Sequence, residues 1–112
     1  MTYQEINTLI SQIAQELECD YNYCAFEDEI SRSRYLVFIF NENNDFYADN
    51  ENYAENACLD IEFYSSEKSI QDERIIEKYL KSHDICYQKD NAYISQEKIF
   101  ETIYSTEVLI DG

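Results

Sequence analysis

One histidine, four cysteines and twenty-four carboxylates are the side chains of this 112-residue chain that could move protons, attack carbon or hold a metal. His83 stands in Lys81-Ser82-His83-Asp84, so any Cys-His or Ser-His dyad has to use it. Its place at the end of an amphipathic segment suits a partner for a helix dipole better than a base. The cysteines, Cys19, Cys24, Cys58 and Cys86, lack paired C-x-x-C spacing and read as reduced thiols that pack as small apolar groups. Carboxylate pairs are so frequent that none singles out a general acid and base. Glu27-Asp28-Glu29 and the stretch 41–49 could collect a divalent cation, yet no D-x-[DN]-x-[DN]-G loop is present. Phosphate-cradling loops need glycine for close backbone approach, and the only glycine is Gly112. No catalytic, cofactor-binding or metal-binding residue is therefore assigned, and an enzyme is not expected.

The elements that would position any site follow from apolar spacing. Ile6, Leu9, Ile10, Ile13, Ala14 and Leu17 form one stripe at helical period, and Thr2 with Glu5 makes a T-x-x-E capping box. The spacing predicts a helix from about residue 3 to 18, with Gln4, Asn7, Gln12, Gln15 and Glu16 turned outward. A short strand is expected near Tyr21 to Phe26. The run Tyr35-Leu36-Val37-Phe38-Ile39-Phe40 is β-branched and aromatic, apolar on both faces and too short for a helix, as a central strand requires. Asn41 to Asp45 reads as a glycine-free turn, and Phe46 to Asn50 as the start of an extended stretch.

From Ala57 the alternation is clean, with Leu59, Ile61 and Phe63 opposite Asp60, Glu62 and Tyr64. A second helix starts at Ser69 as N-cap, carries Asp72-Glu73 in its first turn and Lys78, Lys81 and His83 at its end, and buries Ile75, Ile76, Tyr79 and Leu80. Ile85-Cys86-Tyr87, an Asp90-Asn91 turn signal and Ala92-Tyr93-Ile94 follow, then a long strand from about Ile99 to Ile110. The expected fold is a single α+β domain over 1–112, order α-β-β-β-α-β-β, with a mostly antiparallel sheet and two helices packed on one face. The other face is left for protein contact, to which eleven tyrosines lend large areas with polar tips.

Twenty-four acids against eight bases leave a net charge of −16, which argues against a surface built to neutralise phosphates or to bind anionic membranes. The longest apolar run, residues 35–40, is far short of the roughly 20 residues of a membrane helix. The amino terminus carries neither the basic nor the apolar region of a signal peptide, so cytoplasmic synthesis is expected.

From Asn44 to Ile110 the chain resembles small proteins from the structural gene clusters of siphophages and prophages. The shared pattern runs Phe46-Tyr47-Ala48-Asp49-Asn50, then Tyr53, then Ile61-Glu62-Phe63-Tyr64, and after the second helix Tyr93-Ile94-Ser95-Gln96-Glu97-Lys98-Ile99-Phe100-Glu101-Thr102-Ile103-Tyr104. Residues 18–34 do not follow it, and the proline common before the central strand is missing. The resemblance is to tail-completion proteins, of the tail-terminator and head-tail joining kind. It implies a homo-oligomeric ring, commonly hexameric, seated between the phage tail tube and head-connector proteins, made in the bacterial host cytoplasm and ending in the virion. Under that resemblance Phe46, Tyr47, Asp49, Asn50 and Tyr53 are the expected assembly contacts, and an acidic lumen would keep passing DNA from sticking. Two alternatives share the acidity: a DNA-mimic inhibitor of the anti-restriction or anti-CRISPR type, and an immunity or chaperone-like module that binds one partner.

Overall fold

The computed structural model describes residues 1–24, 34–43 and 54–111. Its element order is α1 (Tyr3–Leu17), β1 (Asp20–Tyr23), β2 (Arg34–Asn43), β3 (Ala54–Ser65), α2 (Ile70–Ser82), β4 (Gln88–Ile94) and β5 (Ile99–Asp111), which is the expected α-β-β-β-α-β-β. α1 begins as the capping box dictates: Glu5 N–H donates to Thr2 Oγ1 at 3.1 Å, and Thr2 N–H donates to Glu5 Oε1 at 3.1 Å. α2 begins at Ser69, whose Oγ accepts from Asp72 N–H at 3.2 Å.

The five strands form one sheet in the order β1-β2-β3-β5-β4. β1 runs parallel to β2, and every other pairing is antiparallel. Because β3 and β4 are both antiparallel to β5, they are parallel to each other. α2 is therefore the crossover of a β-α-β unit split by β5. The register Phe38↔Ile61↔Tyr104 and Phe40↔Leu59↔Thr106 puts the buried residues of three strands on one face. There Leu36, Phe38, Leu59, Ile61, Phe63, Tyr104, Val108 and Ile110 meet Ile6, Leu9, Ile10, Ile13 and Leu17 of α1, and Ile76 and Leu80 of α2. Both helices thus lie on the same side of the sheet, and apolar burial of about 25 cal/mol per Å² holds the layers together.

Several local expectations need correction. β1 ends at Tyr23 with a bend at Cys24, short of the expected limit, and residues 25 and 26 lie outside the described residues. β2 continues through Asn43, so residues 41–43 are strand rather than turn, with a register shift between Phe40 and Asn43. Asp90 and Asn91 also lie inside a strand: β4 runs unbroken from Gln88 to Ile94, and residues 85–87 precede it as irregular chain. β4 is an edge strand, and its pairing with β5 overrides the local turn preference of the Asp-Asn pair. Among the described residues, left-handed backbone occurs at Glu18, Cys24, Asp84 and Lys98, with φ of 55°, 69°, 56° and 53°.

Candidate functional site

His83 sits where the sequence placed it, exposed at the C-cap of α2, its Nδ1 2.9 Å from Tyr79 O and 3.2 Å from Ser82 Oγ. Its contacts are local, as a helix-ending side chain makes them. No disulfide links the four cysteines. Cys19 is half-buried, and burial above all pushes its thiol up to about 11, the opposite of an activated nucleophile. Among the described residues no three His, Cys, Asp or Glu side chains are grouped to hold a metal ion. The expected contacts Phe46, Tyr47, Asp49, Asn50 and Tyr53 lie outside the described residues.

The described structure offers instead the sheet face turned away from both helices. Strand alternation sends Tyr35, Val37 and Ile39 of β2, Asp60, Glu62 and Tyr64 of β3, Asp90 and Ile94 of β4, and Ile99, Glu101, Ile103, Glu107 and Leu109 of β5 to this side. Tyr35 and Tyr64 stack with centroids 4.7 Å apart and planes 15° from parallel, beside Val37 and Ile99. Tyr64 OH donates to Glu62 Oε1 at 2.7 Å. Burial, then hydrogen bonds to Glu101 and Glu62, raise the Tyr64 phenol far above its ordinary value, so it keeps its single proton, which it donates to Glu62. The expectation of a tyrosine-rich contact face is only partly met: Tyr21 and Tyr23 of β1 and Tyr104 of β5 fall on the helix side, and this face combines a two-ring stack with aliphatic and acidic side chains.

Charge is sorted across the sheet. Asp20, Asp60, Glu62, Asp90, Glu101 and Glu107 are the strand carboxylates with described side chains, and all lie on the helix-free face. The two basic residues of the described strands, Arg34 and Lys89, point the other way. Arg34 Nη1 meets Asp72 Oδ2 of α2 at 3.1 Å, and Lys89 Nζ meets Glu73 Oε1 of α2 at 2.7 Å.

The Lys89 contact belongs to a partly buried network around Glu73 that sequence reasoning missed. Glu73 looks like a first-turn acid placed for the helix dipole, yet it is only 3% exposed. Its second oxygen takes Lys68 Nζ at 2.9 Å, while Lys89 Nζ also reaches Glu77 Oε2 at 2.8 Å. Tyr104 OH donates to Glu77 Oε2 at 2.9 Å from the core of the sheet. Burial pushes the Glu73 carboxyl up, but Lys89 and Lys68 outweigh it and hold the group below its usual range. A fully paired cluster of this kind fixes α2 over β4 and β5, a structural task. The available signal was Glu73 preceding Ile76 and Leu80 by three and seven residues, on the apolar side of the helix.

No protein-family profile matches the chain, and no curated protein matches it by sequence. Among solved structures, a chain from the virion of a native gene transfer agent particle is similar at a TM-score of 0.59 and 7% identity, covering 96% of this chain and 92% of that one. At this identity the likeness is one of fold, spanning both chains almost end to end.

Proposed function

We propose that this chain is a structural protein of a tailed-phage-like particle. In its finer form the proposal is a single-domain tail-terminator or head-tail joining subunit that closes into a ring, hexameric by the sequence resemblance, between the tail tube and the head connector. The observation that carries the reading is the match in fold, over nearly the whole of both chains, to a chain of a gene transfer agent virion. The sequence resemblance over residues 44–110 points the same way. The helix-free sheet face supports it, because an apolar and acidic surface of this kind can take a neighbouring protein. In this reading the subunit is made in the host cytoplasm, ends in the virion, performs no catalysis and makes no specific contact with nucleic acid.

Electron microscopy of particles assembled without the chain tests the proposal. Heads and tails that fail to join, with joining restored when the chain is supplied, are expected. Normal joined particles in its absence would refute it.

The row of carboxylates on one face favours a second reading, a DNA-mimic inhibitor, because spaced negative charge on one surface is what a basic DNA-binding site would accept. A monomer that binds a nuclease one-to-one and blocks its DNA binding would select this reading over the first.

A further inference from the structure

The outer side of α2 carries a second patch, of the opposite sign. Arg74, Lys78 and Lys81 stand at i, i+4 and i+7, so they share one stripe, and all three are exposed. Ile70, one turn before Arg74, heads the same stripe at 62% exposure. In a chain of charge −16, intramolecular ion pairs for these three cations would be unsurprising, yet among the described residues none forms one. Glu77 beside them is occupied by Lys89 and Tyr104, and Asp84 at the foot of the stripe bridges to none of the three.

Across the sheet, Glu62, Asp90, Glu101 and Glu107 likewise have no ion pair with a described basic side chain. Beside them lie half-buried Ile103 and Leu109, which is 54% exposed. Each patch therefore joins an exposed aliphatic residue to charge of one sign, and the two patches lie on opposite sides of the molecule.

We propose that the α2 stripe of one copy of this chain, Ile70, Arg74, Lys78 and Lys81, docks on the helix-free sheet face of a second copy, against Glu62, Asp90, Glu101, Glu107 and Leu109. Charge complementarity selects this occupant. Pairing two stripes, or two sheet faces, sets like charge against like, which costs several kcal/mol in an interface. Pairing a stripe with a sheet face joins opposite charges and covers exposed apolar surface. Because the two patches lie on opposite sides of the molecule, their contact is heterologous, and repeating it generates a closed ring or an open filament. It also supplies a helix layer to the sheet face that neither α1 nor α2 covers. The inference rests on the ring reading above for its setting and adds the two surfaces that would meet.

A charge-swap experiment tests it. One variant carries Arg74→Glu and Lys78→Glu, a second carries Glu101→Lys and Glu107→Lys, and thermal melts establish that both are folded. Self-association is followed by light scattering coupled to sizing, on the isolated chain and on particles lacking it, at low and high ionic strength. The wild type is expected to associate at low ionic strength and to weaken as salt screens the contact beyond a Debye length of about 8 Å. Each variant alone should lose its association. An equimolar mixture should regain it, because reversed stripes meet reversed faces and native stripes meet native faces in alternation.

Unchanged association of either variant would overturn the proposal, as would a mixture that stays dissociated, since the stripe would then serve an acidic partner other than this chain. A wild type that remains monomeric under all of these conditions would also overturn it. Failure of the ring reading shows separately, as particles that join normally without the chain even where charge-dependent self-association is observed.

Discussion

Replacing Lys89 with methionine keeps an unbranched stem beside Tyr104 and removes one of the two cations that neutralise Glu73. The Glu73 side chain is 4% exposed, with Lys89 at 2.7 Å and Lys68 at 2.9 Å. Removing one partner of a fully buried pair costs roughly 3–5 kcal/mol. Lys89 is 32% exposed and Lys68 stays in place, so solvent screening and the remaining cation bring the expected loss to about 2 kcal/mol. For a domain of this length that corresponds to a melting temperature lower by about 8 °C.

The pH dependence follows from the direction of the Glu73 shift. In the wild type the carboxyl is held below its ordinary range, so its contribution is fully present above the unfolded-state pKa and is lost as pH falls through the folded-state value. In Lys89→Met burial dominates and the folded-state pKa rises. Protonation then relieves the uncompensated charge, and the gap between variant and wild type narrows on acidification. Urea titrations followed by far-UV circular dichroism, at neutral pH and again in the acid range, measure both effects. A loss below about 0.5 kcal/mol, the size of an ordinary surface substitution, or a gap that widens in acid, would refute the assignment of Glu73 as a buried charge held by Lys89.

Thr2→Ala removes the side-chain half of the α1 capping box and should cost about 1 kcal/mol in the same titration; no loss would mean that the cap does not form in solution. Lys98→Gly relieves the left-handed strain in the β4–β5 turn, where φ is 53°. Set against the greater unfolded-chain entropy of glycine, it should stabilise by about 0.5 kcal/mol. Under the ring proposal Tyr47→Ala or Tyr53→Ala should weaken assembly more than folding, read as altered sizing profiles beside unchanged melts. A thiol reagent should modify exposed Cys24 and Cys86 well before Cys19, whose burial raises its pKa to about 11; modification of Cys19 first would contradict its packing.

Much of the fold was legible because its signals are local. The α1 stripe and capping box, the Ser69 cap, the alternation in β3 and the length of β5 each depend on residues within a few positions of one another. The same locality explains the errors. Asn41 to Asp45 and Asp90-Asn91 carry turn chemistry, yet residues 41–43 and 90–91 are held in strands by pairing with β3 and β5, segments distant in sequence. The candidate surface was half legible: alternation already opposed Asp60 and Glu62 to the apolar residues of β3, and Glu101 and Glu107 to the even-numbered residues of β5. The register was needed to show that these acids share one face.

Sequence alone determined the element types and their order, the amphipathic sides of both helices and the lack of a glycine-built phosphate site, since each is decided by spacing or residue type along the chain. Only the tertiary structure decided that β5 inserts between β3 and β4, that Glu73 rather than its acidic neighbours is buried against two lysines, and that strand carboxylates and the α2 cations occupy opposite sides of the molecule. Those outcomes depend on which distant segments pair and at what register, and a one-residue slip in that pairing would send every side chain of a strand to the other face.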